Sequence, residues 1–371
     1  MTVDSFFETL ENQYKNQLPF AVYSRPINSV IKCWLQHDDA LHTTSNFTES
    51  GFVFAPFDLD NDSILLPQEH CQHYTLEASH LDLQTEISTT SIDAQAKDNH
   101  LALVSKAIET IKKGDLEKVV LSRRVKKATQ TNNPLAIFKR LFNTYKNAMV
   151  YCWYHPKIGL WLGATPELLF KLEGKQLTTI ALAGTQAAQN GKEVSWNAKE
   201  IEEQQIVVDY IKKQIVPYSS KVNVTEAETV KAGSLFHLKS RVTSRIKDTT
   251  DLKSIIEALH PTPAVCGYPK EASKEFILQH EHYNREYYTG FLGELNLKLS
   301  KTRNTNRRNV ENNAYSVVKT QSNFYVNLRC MQIKHGDALI YVGGGITKDS
   351  DSENEWEETV NKTKTINKVL E

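Results

Sequence analysis

MVYCWYHPKIGLWLGATPELLFKLEGKQLTTIAL, residues 149–182, contains four strand-like runs in direct succession. These runs, at 149–154, 159–162, 168–172 and 176–182, are short and separated only by turn-like segments. Strands that follow one another directly, without a helix between each pair, are typical of antiparallel sheets. The sequence therefore predicts an α+β fold with antiparallel sheets and argues against a doubly wound parallel fold.

Helical and strand patterns outside this stretch support the same fold class. Helices are predicted at 100–113, 134–145, 196–215, 252–259, 276–288 and 353–370, and further strands at 118–125, 324–330 and 338–342. The polar segment 83–99 is rich in Ser and Thr and is predicted to be a surface loop.

The composition is that of an ordinary globular protein with a sizeable core, since 40% of the 371 residues are apolar. Lys and Arg total 44, equal to Asp and Glu, so no overall charge favours nucleic acid or a membrane surface. An anionic ligand would have to be bound by local cations or by backbone N–H groups. The basic stretch 298–313 lacks interleaved aromatic residues, which favours a solvated hairpin tip over a nucleic-acid arm.

The cysteine pattern and the lack of a long apolar segment predict a soluble, cytoplasmic protein. The five cysteines are widely spaced and form no CxxC pair, which favours reduced, mostly buried thiols over disulfides or a zinc site. The N-terminal residues show no signal-peptide pattern, and no apolar run is long enough to span a bilayer.

Paired carboxylates occur on two predicted helices. Glu200 and Glu203 are three residues apart on one, and Glu355 and Glu358 on another, with Lys362 one turn later. In both helices the apolar stripe continues from these acids, which would direct them inward, where a cation has to compensate their charge. Oxygen ligands without a Cys or His cluster suit Mg²⁺. Solvated faces neutralised by neighbouring lysines are the alternative, since Glu-rich helices are common.

Several single residues are candidates for chemistry, each with a simpler alternative. Lys118 begins a strand and is either an edge lysine or a desolvated base. Glu167 is either a turn carboxylate or an acid. The glycines 343–345 are either a turn or a source of free N–H groups for a carboxylate. Arg329, inside the predicted strand 324–330, needs an anionic partner if it faces inward.

Ten sequence blocks, taken in order, resemble the chorismate-utilising enzyme family, which includes isochorismate, salicylate, anthranilate and aminodeoxychorismate synthases. The blocks are KVVLSRR (118–124), GATPELLF (163–170), LAGTQ (182–186), NAKEIEEQQIVV (197–208), LFHLKSRV (235–242), LHPTPAVCGYPKE (259–271), YYTGFLGEL (287–295), VNLRCMQI (326–333), VGGGI (342–346) and EWEETVNK (355–362). The resemblance implies one chorismate-binding domain over residues 1–371, with two large antiparallel sheets flanked by helices. Residues 100–371 would form the catalytic core and residues 1–99 a divergent N-terminal part.

The resemblance also implies roles for individual residues. Glu203 and Glu358 would be Mg²⁺ ligands, with Glu200 and Glu355 as direct or water-mediated ligands, although Gln204 stands where many members have histidine. Lys118 would be the base that activates water, and Glu167 the general acid. Substrate-binding residues would be Gly184, Thr185, His237, Ala264, Tyr288, Arg329, Gly343, Gly345 and Lys362.

The implied reaction is the isomerisation of chorismate to isochorismate. Members that use ammonia usually lack the lysine found here at 118, and Ala183 stands where aminodeoxychorismate synthases often have a nucleophilic lysine. Water is therefore the predicted nucleophile, and no glutamine amidotransferase subunit is expected. Salicylate synthase is the first alternative, followed by anthranilate or aminodeoxychorismate synthase, and an inactive chorismate-binding homologue is the non-enzymatic one. A monomer or weak homodimer is expected.

Overall fold

The computed structural model describes residues 1–83, 89–91, 96–129, 133–187, 195–232, 235–301 and 317–370. Within these ranges the side chains of 89–91, 185–187, 199, 203, 231–232, 235, 299–301, 317–318 and 365 lie outside the description. The α-helices are α1 (Val3–Lys15), α2 (Ala96–Lys113), α3 (Pro134–Thr144), α4 (Ala198–Ile215), α5 (Leu252–Leu259), α6 (Lys270–His280) and α7 (Ser352–Asn367). None of these helices is long and apolar enough to cross a bilayer.

The described strands form two large antiparallel sheets, which confirms the predicted fold class. Sheet A has the spatial order β16 (Gly267–Tyr268), β8 (Lys118–Thr129), β20 (Asp337–Ile346), β19 (Cys330–Lys334), β10 (Gly159–Thr165), β9 (Met149–His155), β1 (Phe20–Ser24), β2 (Val30–Gln36) and β6 (Cys71–Glu77), and β7 (Thr89–Ser91) pairs with β8. Sheet B has the order β13 (Ser219–Val224), β15 (Leu235–Ile246), β12 (Gln176–Ala187), β11 (Leu168–Glu173), β18 (Val317–Val326), β17 (Phe291–Lys301), β4 (Gly51–Ala55), β5 (Ser63–Pro67) and β3 (His42–Thr44), and β14 (Glu228–Ala232) pairs with β15. Of the N-terminal strands, β1, β2 and β6 belong to sheet A, and β3, β4 and β5 belong to sheet B.

Helix boundaries follow local capping chemistry. The Asn133 side chain accepts a hydrogen bond from the Leu135 N–H before α3, and Asp251 accepts from Ser254 before α5. Such side chains satisfy N–H groups that have no partner within the helix. The α2 helix ends before Gly114, as predicted, and this glycine has a positive φ of 94°.

The core has a layer between the sheets and a layer on the outer side of each sheet. Aromatic side chains of both sheets fill the middle layer, where the Phe54 and Trp153 rings stack with centroids 4.4 Å apart. Helices α1 and α3 cover one outer surface, on sheet A, while α4 and α5 cover sheet B. All five cysteines are buried and free, as predicted.

Three local predictions are wrong. The helix predicted at 276–288 is instead α6, which ends at His280, so 281–288 is not helical. The strand predicted at 324–330 is divided between β18 and β19, because the chain passes from sheet B to sheet A there. In 83–99, residues 89–91 are a strand and α2 begins at Ala96. Of the basic stretch 298–313, residues 302–313 lie outside the described residues.

The chain also changes sheet in the opposite direction nearby. Strand β10 of sheet A ends at Thr165, and β11 of sheet B begins at Leu168. The two changes are adjacent, because β10 pairs with β19 and β11 pairs with β18. The residues between these strands, which include Glu167 and Arg329, are therefore brought to one place by the topology of the fold.

Candidate active site

Glu167 lies in the tight segment that joins β10 to β11. The buried Thr165 hydroxyl donates to the Val326 carbonyl at 2.5 Å, and the Val326 N–H donates to the Glu167 carbonyl at 3.0 Å. These bonds fix the segment against the end of β18. Burial raises the pKa of Glu167 to about 7, although the nearby charges of Lys118 and Arg329 lower it. Its side chain nevertheless retains some solvent access.

Arg329 lies in the turn between β18 and β19 and not inside a strand, which corrects the prediction. Its φ of +47° is unusual for a residue with a side chain. Burial of its guanidinium lowers the pKa of Arg329, while Tyr145 and Glu167 raise it. Each of these two charges shifts the pKa of the other, so Arg329 and Glu167 interact electrostatically.

Lys118 begins β8 and faces the central glycines of β20. A Cβ atom added to Gly345 would lie 2.9 Å from the Lys118 Cε atom, so a side chain at this position would force the lysine to move. The same face holds Tyr288, whose hydroxyl would lie 3.0 Å from a Cβ atom on Gly343. The charge of Glu167 acts on Tyr288, and the charges of Lys118 and Arg329 act on Glu167. These four side chains therefore interact electrostatically beside β8 and β20 of sheet A.

The three glycines lie inside β20 and not in a turn after it. β19 pairs with β20 only over residues 337–340, so β20 has no strand on that side further along among the described strands. The Lys362 ammonium donates to the Gly343 carbonyl at 2.8 Å, which shows that this peptide faces the open side. In an antiparallel ladder the N–H and C=O of one residue point the same way, and every second residue repeats the direction. The N–H groups of Gly343 and Gly345 therefore face the open edge and can bind a carboxylate.

Helix α7 places its two predicted carboxylates on the other face of β20. A Cβ atom on Gly344 would lie 3.2 Å from Glu355 Oε2 and 3.5 Å from Glu358 Oε1. Successive strand residues point to opposite faces, so these acids and Lys118 flank the open edge of β20 from two sides. Lys362 pairs with Glu358 at 2.5 Å, and both side chains are about half exposed.

Glu355 has the features expected of a cation ligand. Its Oε2 atom is buried with no hydrogen-bond partner, while Oε1 accepts from the Ser350 hydroxyl at 2.7 Å. Burial raises the pKa of Glu355, the Ser350 hydrogen bond lowers it, and the charge of Glu358 raises it. An unpartnered buried carboxylate oxygen beside a second carboxylate fits a hard divalent cation. No group of three metal-ligating side chains occurs within the described part of the chain, which leaves out the Glu203 side chain.

The N-terminal end of α4 approaches the group from sheet B. Gly184 has a φ of +69° at a bulge in β12, and a Cβ atom there would lie 3.3 Å from the Glu200 Cβ atom. The His237 ring contacts the Gly184 carbonyl at 3.1 Å, and burial lowers the pKa of His237, which the charge of Arg329 lowers further. Glu200 Oε2 accepts the Asn197 N–H at 3.0 Å, so one of its oxygens caps the helix.

Two predicted residues are described only in part, and another lies in a neighbouring loop. The backbone of Glu203 is in α4 and that of Thr185 in β12, but their side chains lie outside the described residues. Ala264 is in the turn that precedes β16, where the Val265 N–H donates to the Thr262 carbonyl at 3.0 Å. This turn borders β8, because the Val120 N–H donates to the Cys266 carbonyl at 2.8 Å.

Comparison with known proteins provides independent evidence on the family of the chain. Two family profiles, both described as chorismate-binding enzyme, match residues 58–300 and 315–368, and the first alone covers more than half of the chain. The chain belongs to the chorismate-binding enzyme family. Within this family it is most similar to isochorismate synthases, as the sequence blocks predicted.

Individual relatives of this family define the extent of the similarity. The salicylate biosynthesis isochorismate synthase of Pseudomonas aeruginosa is 29% identical over 286 residues, which cover 75% of this chain and 56% of the relative. The isochorismate synthase MenF of Escherichia coli is 30% identical over 72% of this chain and 59% of that protein. The chain thus spans somewhat more than half the length of these relatives. The solved structure of MenF from Escherichia coli, its menaquinone-specific isochorismate synthase, superimposes with a TM-score of 0.77 and 22% identity, covering 95% of this chain and 89% of that one.

Sequence reasoning missed a buried ion pair and a tyrosine at the site. Glu281 and Arg285 form a buried salt bridge beside β8, and a spacing of four residues gives no sign of burial, because such pairs are common on exposed helix surfaces. Tyr145, directly after α3, interacts electrostatically with Arg329, and burial raises the pKa of Tyr145. No sequence motif distinguishes this tyrosine from others in the chain.

Proposed function

We propose that this protein is an isochorismate synthase that converts chorismate to isochorismate with Mg²⁺ as cofactor. The observation that carries the proposal is Glu167, whose pKa is raised to about 7 beside Lys118 and Arg329. A carboxyl that is about half protonated at neutral pH can act as a general acid.

The proposed reaction adds water at ring carbon C2 and removes the hydroxyl at C4. Lys118 takes a proton from the attacking water, and the new C2–O bond forms while the ring double bonds shift toward C4. The C4–O bond breaks as the double bonds shift, and Glu167 supplies the proton with which the hydroxyl leaves as water. One water is consumed and one released, so the reaction is an isomerisation.

Substrate carboxylates would be held by the groups at the open edge of β20. The N–H groups of Gly343 and Gly345 face this edge, Lys362 lies beside it, and Arg329 supplies a second cation. His237 from sheet B and Tyr288 from the segment after α6 would line the substrate site, and Gly184, Thr185 and Ala264 would complete its wall. This arrangement supports a small dianionic substrate, and chorismate has two carboxylates.

The α7 carboxylates would hold Mg²⁺ together with acids of α4. Glu355 and Glu358 lie side by side at the edge of β20, and we propose Glu203 and Glu200 as ligands from the other helix. Bound Mg²⁺ would neutralise the ring carboxylate and polarise the ring. The presence of Lys118 supports water as the nucleophile, without an amidotransferase subunit. We also propose a cytoplasmic location and a monomer or weak homodimer.

Product identification is the decisive experiment for this proposal. The purified protein, incubated with chorismate and Mg²⁺, is expected to form isochorismate in equilibrium with chorismate, with little pyruvate, as measured by chromatography. Stoichiometric pyruvate and salicylate would instead identify a salicylate synthase. Ammonia-dependent anthranilate would contradict the role of Lys118, and chorismate binding without turnover would indicate an inactive homologue.

A magnesium titration tests the metal site with a matched pair of variants. Glu358→Gln is expected to raise the Mg²⁺ concentration for half-maximal turnover by about 10–100-fold, since a metal-binding carboxylate is lost. Glu203→Gln is expected to do the same. The control is Glu357→Gln, the exposed neighbouring residue on α7, which should leave the titration unchanged. Equal titrations for the Glu358 and Glu357 variants would remove Glu358 from the metal site.

A further inference from the structure

A buried ion pair lies beside the strand that carries Lys118. Arg285 donates to Glu281 through Nη2 at 2.5 Å and through Nε at 2.7 Å, so the contact is bidentate. The two side chains are only 2% and 1% exposed. Neither group has the solvent access needed to contact a substrate.

The same pair bonds to the edge of β8 where the neighbouring strand ends. β16 pairs only with Lys118 and Val119. Immediately beyond, Arg285 Nη2 donates to the Val120 carbonyl at 2.7 Å, and the Ser122 N–H donates to Glu281 Oε1 at 2.6 Å. The ion pair thus supplies the hydrogen-bond partners that a neighbouring strand would otherwise provide at Val120 and Ser122.

Two other segments of the site are connected to the same guanidinium. Arg285 Nη1 donates to the Val265 carbonyl at 3.0 Å, in the turn next to Ala264. The Arg285 Cζ atom lies 5.8 Å from the centroid of the Tyr288 ring, and the Tyr288 hydroxyl lies near Gly343. Three segments that carry predicted site residues therefore meet at one ion pair.

Stability alone does not require a charged pair at this position. Removing two charges from water is costly, and apolar residues of similar volume are often as stable in such places. What apolar residues cannot do is pair with the carbonyls of Val120 and Val265 and the N–H of Ser122. The bonds to Val120 and Ser122 fix the edge of β8 two and four residues from Lys118.

We propose that Glu281 and Arg285 are a positioning pair for the reaction, holding the Lys118 strand, the Ala264 turn and Tyr288 in register. The inference rests on the proposed function for its kinetic consequences. The claim that this pair places Lys118 does not depend on which reaction the protein catalyses.

The test replaces Arg285 by lysine and measures kinetics and lysine reactivity. Lysine keeps the charge, but its single nitrogen cannot reach two carbonyls and a carboxylate in the geometry of the guanidinium. Misplacement of a reacting group by about 1 Å can cost about 100-fold, so Arg285→Lys is expected to lower kcat by about 10–100-fold. The KM for chorismate should change by less than about threefold, because Arg329, Lys362 and the β20 edge are untouched.

Amine labelling gives a readout that does not depend on turnover. Acetylation by acetic anhydride, quantified by peptide mass spectrometry, is expected to change by at least about threefold at Lys118 in the variant, because solvation and hydrogen bonding set the reactivity of an amine. Labelling at Lys362 should stay constant. If the wild-type protein forms no isochorismate, the proposed function fails, and the Lys118 labelling still decides whether the pair positions this residue.

Arg25→Lys is the matched control, since Arg25 pairs with another buried carboxylate, Glu294, at 2.5 Å. It should lower the melting temperature by a similar amount without changing kcat or Lys118 labelling. If Arg285→Lys does not fold, Ser122→Ala, which removes only a hydroxyl that donates to Glu281 at 3.0 Å, should lower kcat by about two- to fivefold. Unchanged kcat and labelling in the folded Arg285 or Ser122 variant, or an equal loss in the Arg25 variant, would overturn the proposal.

Discussion

Glu167 and Glu294 are two carboxyls that lie where sheets A and B meet, and their surroundings give them opposite properties. Glu294 on β17 is 3% exposed and accepts hydrogen bonds from Tyr23, from Arg25 at 2.5 Å and from Lys32 at 2.9 Å. Burial alone would raise the pKa of Glu294, but these charges and hydrogen bonds lower it overall. For Glu167 burial outweighs the charges of Lys118 and Arg329, and the pKa rises to about 7.

The difference shows that burial by itself does not determine what a carboxyl does. Glu294 is surrounded by donors from β1 and β2, so it stays ionised and joins the two sheets. Glu167 has cations close enough to reduce its pKa, but their charges do not offset the effect of burial. The first arrangement stabilises an anion, whereas the second supplies a proton.

The largest expected difference between the two carboxyls is in turnover. Glu167→Gln should lower kcat by about 10²–10⁴-fold, since the general acid is lost, and Lys118→Ala should do the same by loss of the base. Glu294→Gln should leave kcat within about threefold of wild type, because Glu294 does not contribute to the reaction. Steady-state kinetics with chorismate measures all three, and circular dichroism checks that each variant is folded. Comparable losses in the Glu294 and Glu167 variants would remove the distinction drawn here.

The second expected difference is in stability near neutral pH. Glu294→Gln should lower the free energy of unfolding by about 2–4 kcal/mol, because Arg25 and Lys32 lose their buried partner but can recover some solvation. Chemical denaturation measures this loss. A change below about 0.5 kcal/mol would mean that the donors around Glu294 make no net contribution to stability, as is found for many exposed ion pairs.

The smallest expected effect is the pH dependence of stability in the Glu167 variant. The folded-state pKa of Glu167, about 7, lies above its ordinary value of 4.5. The stability that protonation contributes is therefore complete below 4.5 and is lost as the pH rises through 7. Glu167→Gln, which carries no charge, should exceed wild type by about 1–3 kcal/mol near pH 8 and equal it near pH 4.

The Glu294 variant should show the opposite trend with pH. Because the pKa of Glu294 is lowered on folding, its contribution is present above the ordinary carboxyl pKa and is lost as the pH falls. The deficit of Glu294→Gln should therefore shrink in acid. Denaturation curves over the same pH series provide the comparison, and parallel curves for the two variants would refute the assigned pKa directions.

Fold class and most element positions could be predicted because they depend on local patterns. The successive runs at 149–182 became β9 to β12, and α5 occupies the predicted residues 252–259. The two clearest local failures arose from tertiary context. Apolar residues continue through 324–330, but the chain changes sheet at Arg329, and the apolar pattern at 276–288 continues past the end of α6 at His280.

The sequence by itself determined the antiparallel α+β character, the five reduced cysteines and, through ordered motifs, which side chains were candidates. These properties follow from periodicity, capping and residue type, which act within a few residues. Only the tertiary structure decided that Glu167 and Arg329 meet at adjacent sheet changes, that the glycines 343–345 form an open strand edge, and that Glu281 with Arg285 holds β8. Those arrangements depend on contacts between segments far apart in the chain, and the pKa of each carboxyl depends on which charges those contacts bring near it.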